Sequence, residues 1–194
     1  MAGYHKYKNF DSGEYPFFVT TTVVGFTPLF NTVARRSFVT ACLLYDLHYY
    51  QAKLGAFVVM DHHLHFICKP PDGRTCSWLL NRFKSNCAKC LLPLLCEREL
   101  ALLNNSRRAT DGFLWKRSFR SFALSQDLHY NQKLNYIHNN PVRSRACSTP
   151  EEYAWSSARF FTRGMWSEES GLGPIDEIAR EFAPVPPMQE WKSR

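Results

Sequence analysis

The sequence predicts an α+β fold, a ferredoxin-like antiparallel sheet in βαββαβ order with helices on one face, followed by a further helix and a C-terminal extension. Three observations carry this expectation. Runs rich in aromatic and β-branched residues alternate with helically spaced apolar residues in that order. The two middle strands are adjacent and can pair as a hairpin. A last helical pattern follows the fourth strand.

The first strand is expected from Glu14 to Val24 (EYPFFVTTTVV), whose residues suit a pleated, half-buried surface. From about Thr32, Val33, Phe38, Cys42, Leu43, Tyr45 and Leu47 recur at helical spacing as far as Tyr50. Ala52 to Met60 and His62 to Lys69 follow as strands paired about the polar Asp61 region, and Pro70-Pro71-Asp72-Gly73 reads as a turn. Ser77 to about Cys96 is expected to be a helix bent or broken at Pro93. The stretch from Leu100 to Asp111, with Asn104-Asn105-Ser106-Arg107-Arg108, is expected to be a loop. Trp115 to Leu124 is the fourth strand. Ser125 then offers an N-cap, with Asp127 in the first turn of a helix that runs through Leu128, Leu134 and Ile137 until Pro141 ends it.

With 194 residues, 45% hydrophobic and 15% aromatic, the chain can bury a sizeable core. The expected organisation is a main domain over 1–145 and an extension over 146–194 that packs on it, ending stiffly at Pro184-Val185-Pro186-Pro187. No apolar run approaches the roughly 18 residues of a membrane span, and the start is polar and basic, so a cytoplasmic protein without a membrane partner is expected. Seven cysteines, an odd number, are expected to stay reduced. Cys87, Cys90 and Cys96 offer an alternative reading as a zinc site, but a second ligand pair at finger-like spacing is missing. The net charge of +7 is uneven: residues 1–145 hold 19 Lys and Arg against 9 Asp and Glu, whereas 146–194 hold 5 against 8. A basic domain favours a polyanionic partner, although solubility alone would also account for it.

Two motifs carry chemistry. In Val58-Val59-Met60-Asp61-His62-His63-Leu64-His65-Phe66-Ile67, strand alternation puts His63 and His65 on one face, a ready pair of metal ligands, and sets His62 aside. A hydrogen-bonded pair of histidines would look the same. In Leu134-Asn135-Tyr136-Ile137-His138-Asn139-Asn140-Pro141-Val142, Tyr136 and Asn140 are four apart and share a helix face. Tyr136 also suits a core aromatic and Asn140 a helix end; His138 and Asn139 read as cap or surface residues.

Together these motifs, in this order, resemble the single-tyrosine HUH transposases and, more closely, the REP-associated tyrosine transposases. The resemblance extends to Tyr15-Pro-Phe-Phe-Val-Thr-Thr-Thr-Val23, Leu114-Trp115-Lys116-Arg117-Ser118-Phe119 and Tyr153-Ala-Trp155-Ser156-Ser157, and spans about residues 4–160. It implies that His63, His65 and Asn140 hold a divalent cation, Mg²⁺ or Mn²⁺, and that Tyr136 attacks a scissile phosphate to leave a 5′-phosphotyrosine and a free 3′-OH. A free tyrosine has a pKa of about 10, so its deprotonation needs help. The implied partner is single-stranded or hairpin DNA of the REP type. Arg82, Lys84, Lys116, Arg117, Arg120 and Arg143 are the candidate phosphate contacts, with solvated faces as the alternative for each. A domesticated protein that binds hairpins without cutting them, and a homodimer with sites shared between chains, remain open at this point.

The chain departs from the family in two places. Asp61-His62 stands where the family often has Pro-Asn or Pro-Glu, and Ser144-Arg145-Ala146 stands where the turn after Asn-Pro-Val often has a Gly.

Overall fold

A computed structural model describes residues 15–108 and 111–164. Pro184 to Pro187 and the rest of the extension from 165 on lie outside the described residues. The elements are β1 (Phe17–Thr22), α1 (Val33–Tyr49), β2 (Lys53–Val59), β3 (His63–Lys69), α2 (Cys76–Leu91), α3 (Glu97–Ser106), β4 (Arg120–Ala123), α4 (Asp127–Arg143) and α5 (Ala158–Thr162). The sheet runs β2-β3-β1-β4 with every described pair antiparallel, which is the expected ferredoxin-like arrangement.

Strand alternation gives the sheet two different faces. Phe17, Val19, Leu54, Phe57, Val59, Leu64, Phe66 and Cys68 point into a core closed by α1 and α2. Phe18, Ala56, Val58 and Ile67 form a smaller cluster with Leu134, Tyr136 and Ile137 of α4, so the last helix covers the opposite face. Gly55 lets α4 come this close: a Cβ there would lie 2.6 Å from Ile67 Cγ2 and 2.8 Å from the Tyr130 hydroxyl. After α4 the chain returns along the outer edge of β2, where the Val59 N–H donates to Trp155 O at 2.9 Å and the Tyr153 hydroxyl donates to Val59 O at 2.8 Å. No described helix is long and apolar enough to cross a membrane.

The structure corrects four expectations. The stretch from Leu100 to Asp111 is not a loop throughout, because α3 occupies 97–106. Glu97-Arg-Glu-Leu-Ala-Leu-Leu is made of strong helix formers, Glu99 accepts from the Cys96 N–H at 3.0 Å, and the Glu99 carboxylate also pairs with Arg35 of α1. The fourth strand is shorter than Trp115–Leu124: Trp115 makes only an isolated bridge to Val23 before the chain leaves and rejoins the sheet at Arg120. Ser125 does not cap α4, whose N-cap is Gln126 without a side-chain bond.

The fourth correction is that Pro141 lies inside α4 rather than ending it. A proline removes one helical donor, and here the helix continues for two residues before closing on its own carbonyls. The Arg145 N–H donates to Val142 O and the Ala146 N–H to Pro141 O, both at 2.9 Å, the pairing of a Schellman cap. Arg145 holds the left-handed position at φ 60 that glycine usually takes. The departure at Ser144-Arg145-Ala146 thus keeps the turn and accepts a strained arginine in it.

One buried group sets a pH dependence on the fold. Asp46 of α1 is 1% exposed, accepts from Asn86 Nδ2 of α2 at 2.8 Å, and leaves its Oδ2 without a partner among the described residues. Burial pushes its carboxyl up from 3.8 to about 6. The folded chain therefore binds that proton more tightly than the unfolded one, and stability is lost as pH rises through about 6. Asp46→Asn is expected to raise the melting temperature near neutral pH by roughly 5 °C. In thermal scans across pH the gain should fade below about 6 and vanish near 3.8; a gain independent of pH would show that the buried charge is not its cause.

Candidate active site

The site forms where β1, β3 and α4 meet. The β1–β3 register sets Thr20 opposite His65 and Thr22 opposite His63, on the sheet face that α4 covers. The His63 and His65 rings lie 4.7 Å apart between centroids. The His65 ring in turn meets the Tyr136 ring edge-on at 5.1 Å, within the same chain. Phe18 completes the group by stacking on His65 at 5.6 Å and 17° and touching Tyr136 edge-on at 5.8 Å.

Both histidines are held neutral by their surroundings. His65 is 5% exposed, and its Nδ1 shares a 2.8 Å hydrogen bond with the Thr20 hydroxyl, which fixes the ring and leaves Nε2 free of that contact. His63 Nδ1 is buried with no hydrogen-bond partner among the described residues. Burial, reinforced by the neighbouring imidazole, lowers the His63 pKa to about 4 and the His65 pKa to about 3. Neutral imidazoles carry the lone pair that a metal takes.

Among the described residues no group of three or more His, Cys, Asp or Glu could hold a metal. A cation at the histidine pair would therefore draw a third protein ligand from another residue type. Asn140 is half-buried, one turn beyond Tyr136 on α4, and its side chain makes no hydrogen bond among the described residues. The zinc reading falls on the same ground: Cys87 is buried in the core whereas Cys96 is exposed at the start of α3.

The basic residues divide. Arg120 pairs with Thr20 across β4 and β1, so it projects, exposed, on the site's face of the sheet. Arg143 lies 5.7 Å from the Tyr136 ring centroid. Lys116 sits on the Phe26 ring and Arg117 is exposed beside it. Lys84 does not face outward: its ammonium donates to the Lys116 and Arg117 carbonyls, and burial lowers its pKa to about 8. Arg82 belongs to α2, in the layer on the opposite side of the sheet, where it stacks on Trp78.

Three neighbours of the histidine–tyrosine cluster were not read from the sequence. Thr20 and Phe18 become visible only through the β1–β3 register. Lys133, whose ammonium is 4.9 Å from the Phe18 ring and 5.8 Å from the Tyr136 ring, is three residues before Tyr136, a spacing that could have revealed it. His62 lies in the bend before β3, so strand alternation does not govern it, and its ring reaches within 4.6 Å of the His63 ring. His138 is not a surface residue; its Nε2 is 2.9 Å from Ser157 Oγ, and burial lowers its pKa to about 4.

Neither a protein-family profile nor a curated protein matches this sequence. Among solved structures, a REP-associated tyrosine transposase bound to a REP hairpin superposes with a TM-score of 0.62 at 18% identity, over 91% of this chain and 90% of that one. This chain has the REP-associated tyrosine transposase fold. A Deinococcus radiodurans R1 protein described as a candidate transposase also matches, with a TM-score of 0.43, 13% identity and coverage of 72% of this chain and 97% of that one. At that distance the second likeness bears no weight.

The depressed histidine pKa values give a direct check on the site. Imidazole ¹⁵N chemical shifts of EDTA-treated protein at about pH 5.5, above both the His63 pKa of about 4 and the His65 pKa of about 3, should report mainly neutral rings for His63 and His65. Cationic rings at that pH would contradict the buried geometry.

Proposed function

We propose that this chain is a REP-associated tyrosine transposase that binds hairpin DNA and cuts and rejoins an adjoining single strand through Tyr136. The observation that carries the reading is the contact of the Tyr136 ring, on α4, with the His65 ring, on β3. The proposed nucleophile and the proposed metal-ligand pair, far apart in sequence, lie in ring contact on one sheet face, and the fold is that of a REP-associated tyrosine transposase. The net positive charge and the exposed Arg120 suit a phosphate backbone beside them.

In this mechanism Tyr136 Oη attacks the scissile phosphorus and loses its proton to solvent. The bond from phosphorus to the 3′ oxygen breaks, that oxygen takes up a proton, and the phosphate remains on Tyr136 through its 5′ side. Rejoining is the reverse, with a 3′-OH attacking the phosphotyrosine, so no nucleotide cofactor is consumed. Lys133 and Arg143, flanking the Tyr136 ring, supply positive charge where negative charge builds on the phosphate. His63, His65 and the Asn140 amide oxygen would hold Mg²⁺ or Mn²⁺, which when bound polarises phosphate oxygens as a Lewis acid. Thr20 positions His65 through its Nδ1.

The test is a covalent adduct. Full-length protein incubated with Mn²⁺ and hairpin DNA bearing an unpaired flank should yield a denaturation-resistant protein–DNA species, and Tyr136→Phe should abolish it. An adduct that survives Tyr136→Phe would overturn the assignment. Tight, salt-sensitive hairpin binding without any adduct would instead establish the non-cleaving alternative. Thr20→Val should leave the chain folded but weaken Mn²⁺ binding about 10- to 100-fold by calorimetry, the usual consequence of losing such an outer hydrogen bond; unchanged affinity would remove Thr20 from the site.

A further inference from the structure

A concavity lies beside the exposed Phe26 ring. A cleft of about 690 Å³ is bounded by Gly25, Phe26, Ser106, Arg108, Lys116 and Arg117. One wall is the end of α3, which approaches so closely that a Cβ on Gly25 would lie 2.2 Å from the Ser106 Cβ. Phe26 is 59% exposed and has φ 57, a left-handed conformation that few residues with a Cβ adopt. A large apolar ring held outward on an unfavourable backbone calls for a purpose other than packing.

The polar surroundings suggest which one. The Lys116 ammonium sits 3.1 Å from the Phe26 ring centroid, and its main chain is anchored by the Lys116 N–H to Thr22 O bond at 2.9 Å and by Lys84. The cleft also contains one carboxylate, that of Asp111. It is engaged in the loop itself, accepting from the Arg108 and Arg117 N–H groups, each at 3.3 Å. Arg108, Lys116 and Arg117 have no carboxylate partner among the described residues. An aromatic face beside several unneutralised cations matches the two parts of an unpaired nucleotide, a flat base and a phosphate.

The cleft is joined to the proposed nucleophile by an unbroken row of rings. Phe26 meets His62 at 5.7 Å, His62 meets His63 at 4.6 Å, His63 meets His65 at 4.7 Å, and His65 meets Tyr136 at 5.1 Å. We infer that the Phe26 cleft is a binding subsite for an unpaired nucleotide of a DNA single strand. The base stacks on Phe26, the phosphates lie on Lys116, Arg117 and Arg108, and the strand continues along the ring row to Tyr136. The inference rests on the transposase reading above and assigns His62 a place on the strand's path rather than among the metal ligands.

Fluorescence anisotropy with full-length protein in EDTA tests it without cleavage, using one DNA hairpin with a short unpaired flank and the same hairpin blunt. Phe26→Ala should raise Kd for the flanked hairpin about tenfold, the effect of losing one stacked base, and leave the blunt hairpin unchanged. Phe26→Trp should restore flanked binding, and melting curves should show all three proteins folded. Equal effects on both DNAs, no effect on either, or no rescue by tryptophan would overturn the subsite while leaving the transposase reading intact. If the unsubstituted protein binds neither DNA, the transposase reading itself falls and the subsite with it.

Discussion

The pairing register of β1 with β3 is the constraint on which the site depends. Thr20 opposite His65 and Thr22 opposite His63 put both imidazoles on the face covered by α4, and Phe18 opposite Ile67 lays an apolar floor beside them. A slip of one residue would turn Leu64 and Phe66 toward α4 and bury the histidines under α1 and α2. That slip is blocked from both sides, because Leu64, Phe66 and Cys68 fill the larger core with Phe17 and Val19. The same hydrophobic alternation that folds the sheet therefore aims the two imidazoles.

Burial then decides the chemical state of those imidazoles. An imidazole is costly to bury as a cation, so His63 and His65 remain neutral well below their ordinary pKa. The two differ in the polar atoms they keep. His65 satisfies Nδ1 through Thr20, whereas His63 Nδ1 is buried with no described partner. Such an orphan costs stability unless something outside the chain satisfies it, and this is the arrangement expected where a functional site is built at the fold's expense.

Much of this was legible in the sequence, and the parts that were not have physical reasons. Apolar periodicity located β1, α1, β2, β3 and α2, and i, i+4 spacing put Tyr136 and Asn140 together on α4. A reading of apolar periodicity passes over α3, because its polar end, Asn104-Asn105-Ser106, looks like a loop, and the Arg35–Glu99 ion pair that ties it to α1 is a contact between distant residues. Thr20 is one of three consecutive threonines, and nothing in their composition distinguishes it; only the register selects it. Lys84 looks like any solvated lysine until two main-chain carbonyls, 32 and 33 residues away, are found to hold its ammonium.

The departure at Asp61-His62 has a structural account of the same kind. A proline before the histidine strand would stiffen the hairpin through its fixed φ. Here the stiffness comes from elsewhere: Arg36 pairs with the Asp61 carboxylate while its guanidinium lies 4.8 Å from the Trp155 ring centroid. Main-chain bonds hold the bend on the other side, from the Phe30 N–H to Asp61 O and from the Val23 N–H to His62 O, each at 2.8 Å. A half-buried ion pair backed by an aromatic face is stronger than an exposed one, since the guanidinium loses less by leaving water. It also ties the hairpin tip to α1 and to the returning segment around Trp155, so the residue next to His63 is fixed by three parts of the chain. With the bend held by these partners, the His62 ring is fixed between Phe26, at 5.7 Å, and His63, at 4.6 Å, and so links Phe26 to the histidine pair.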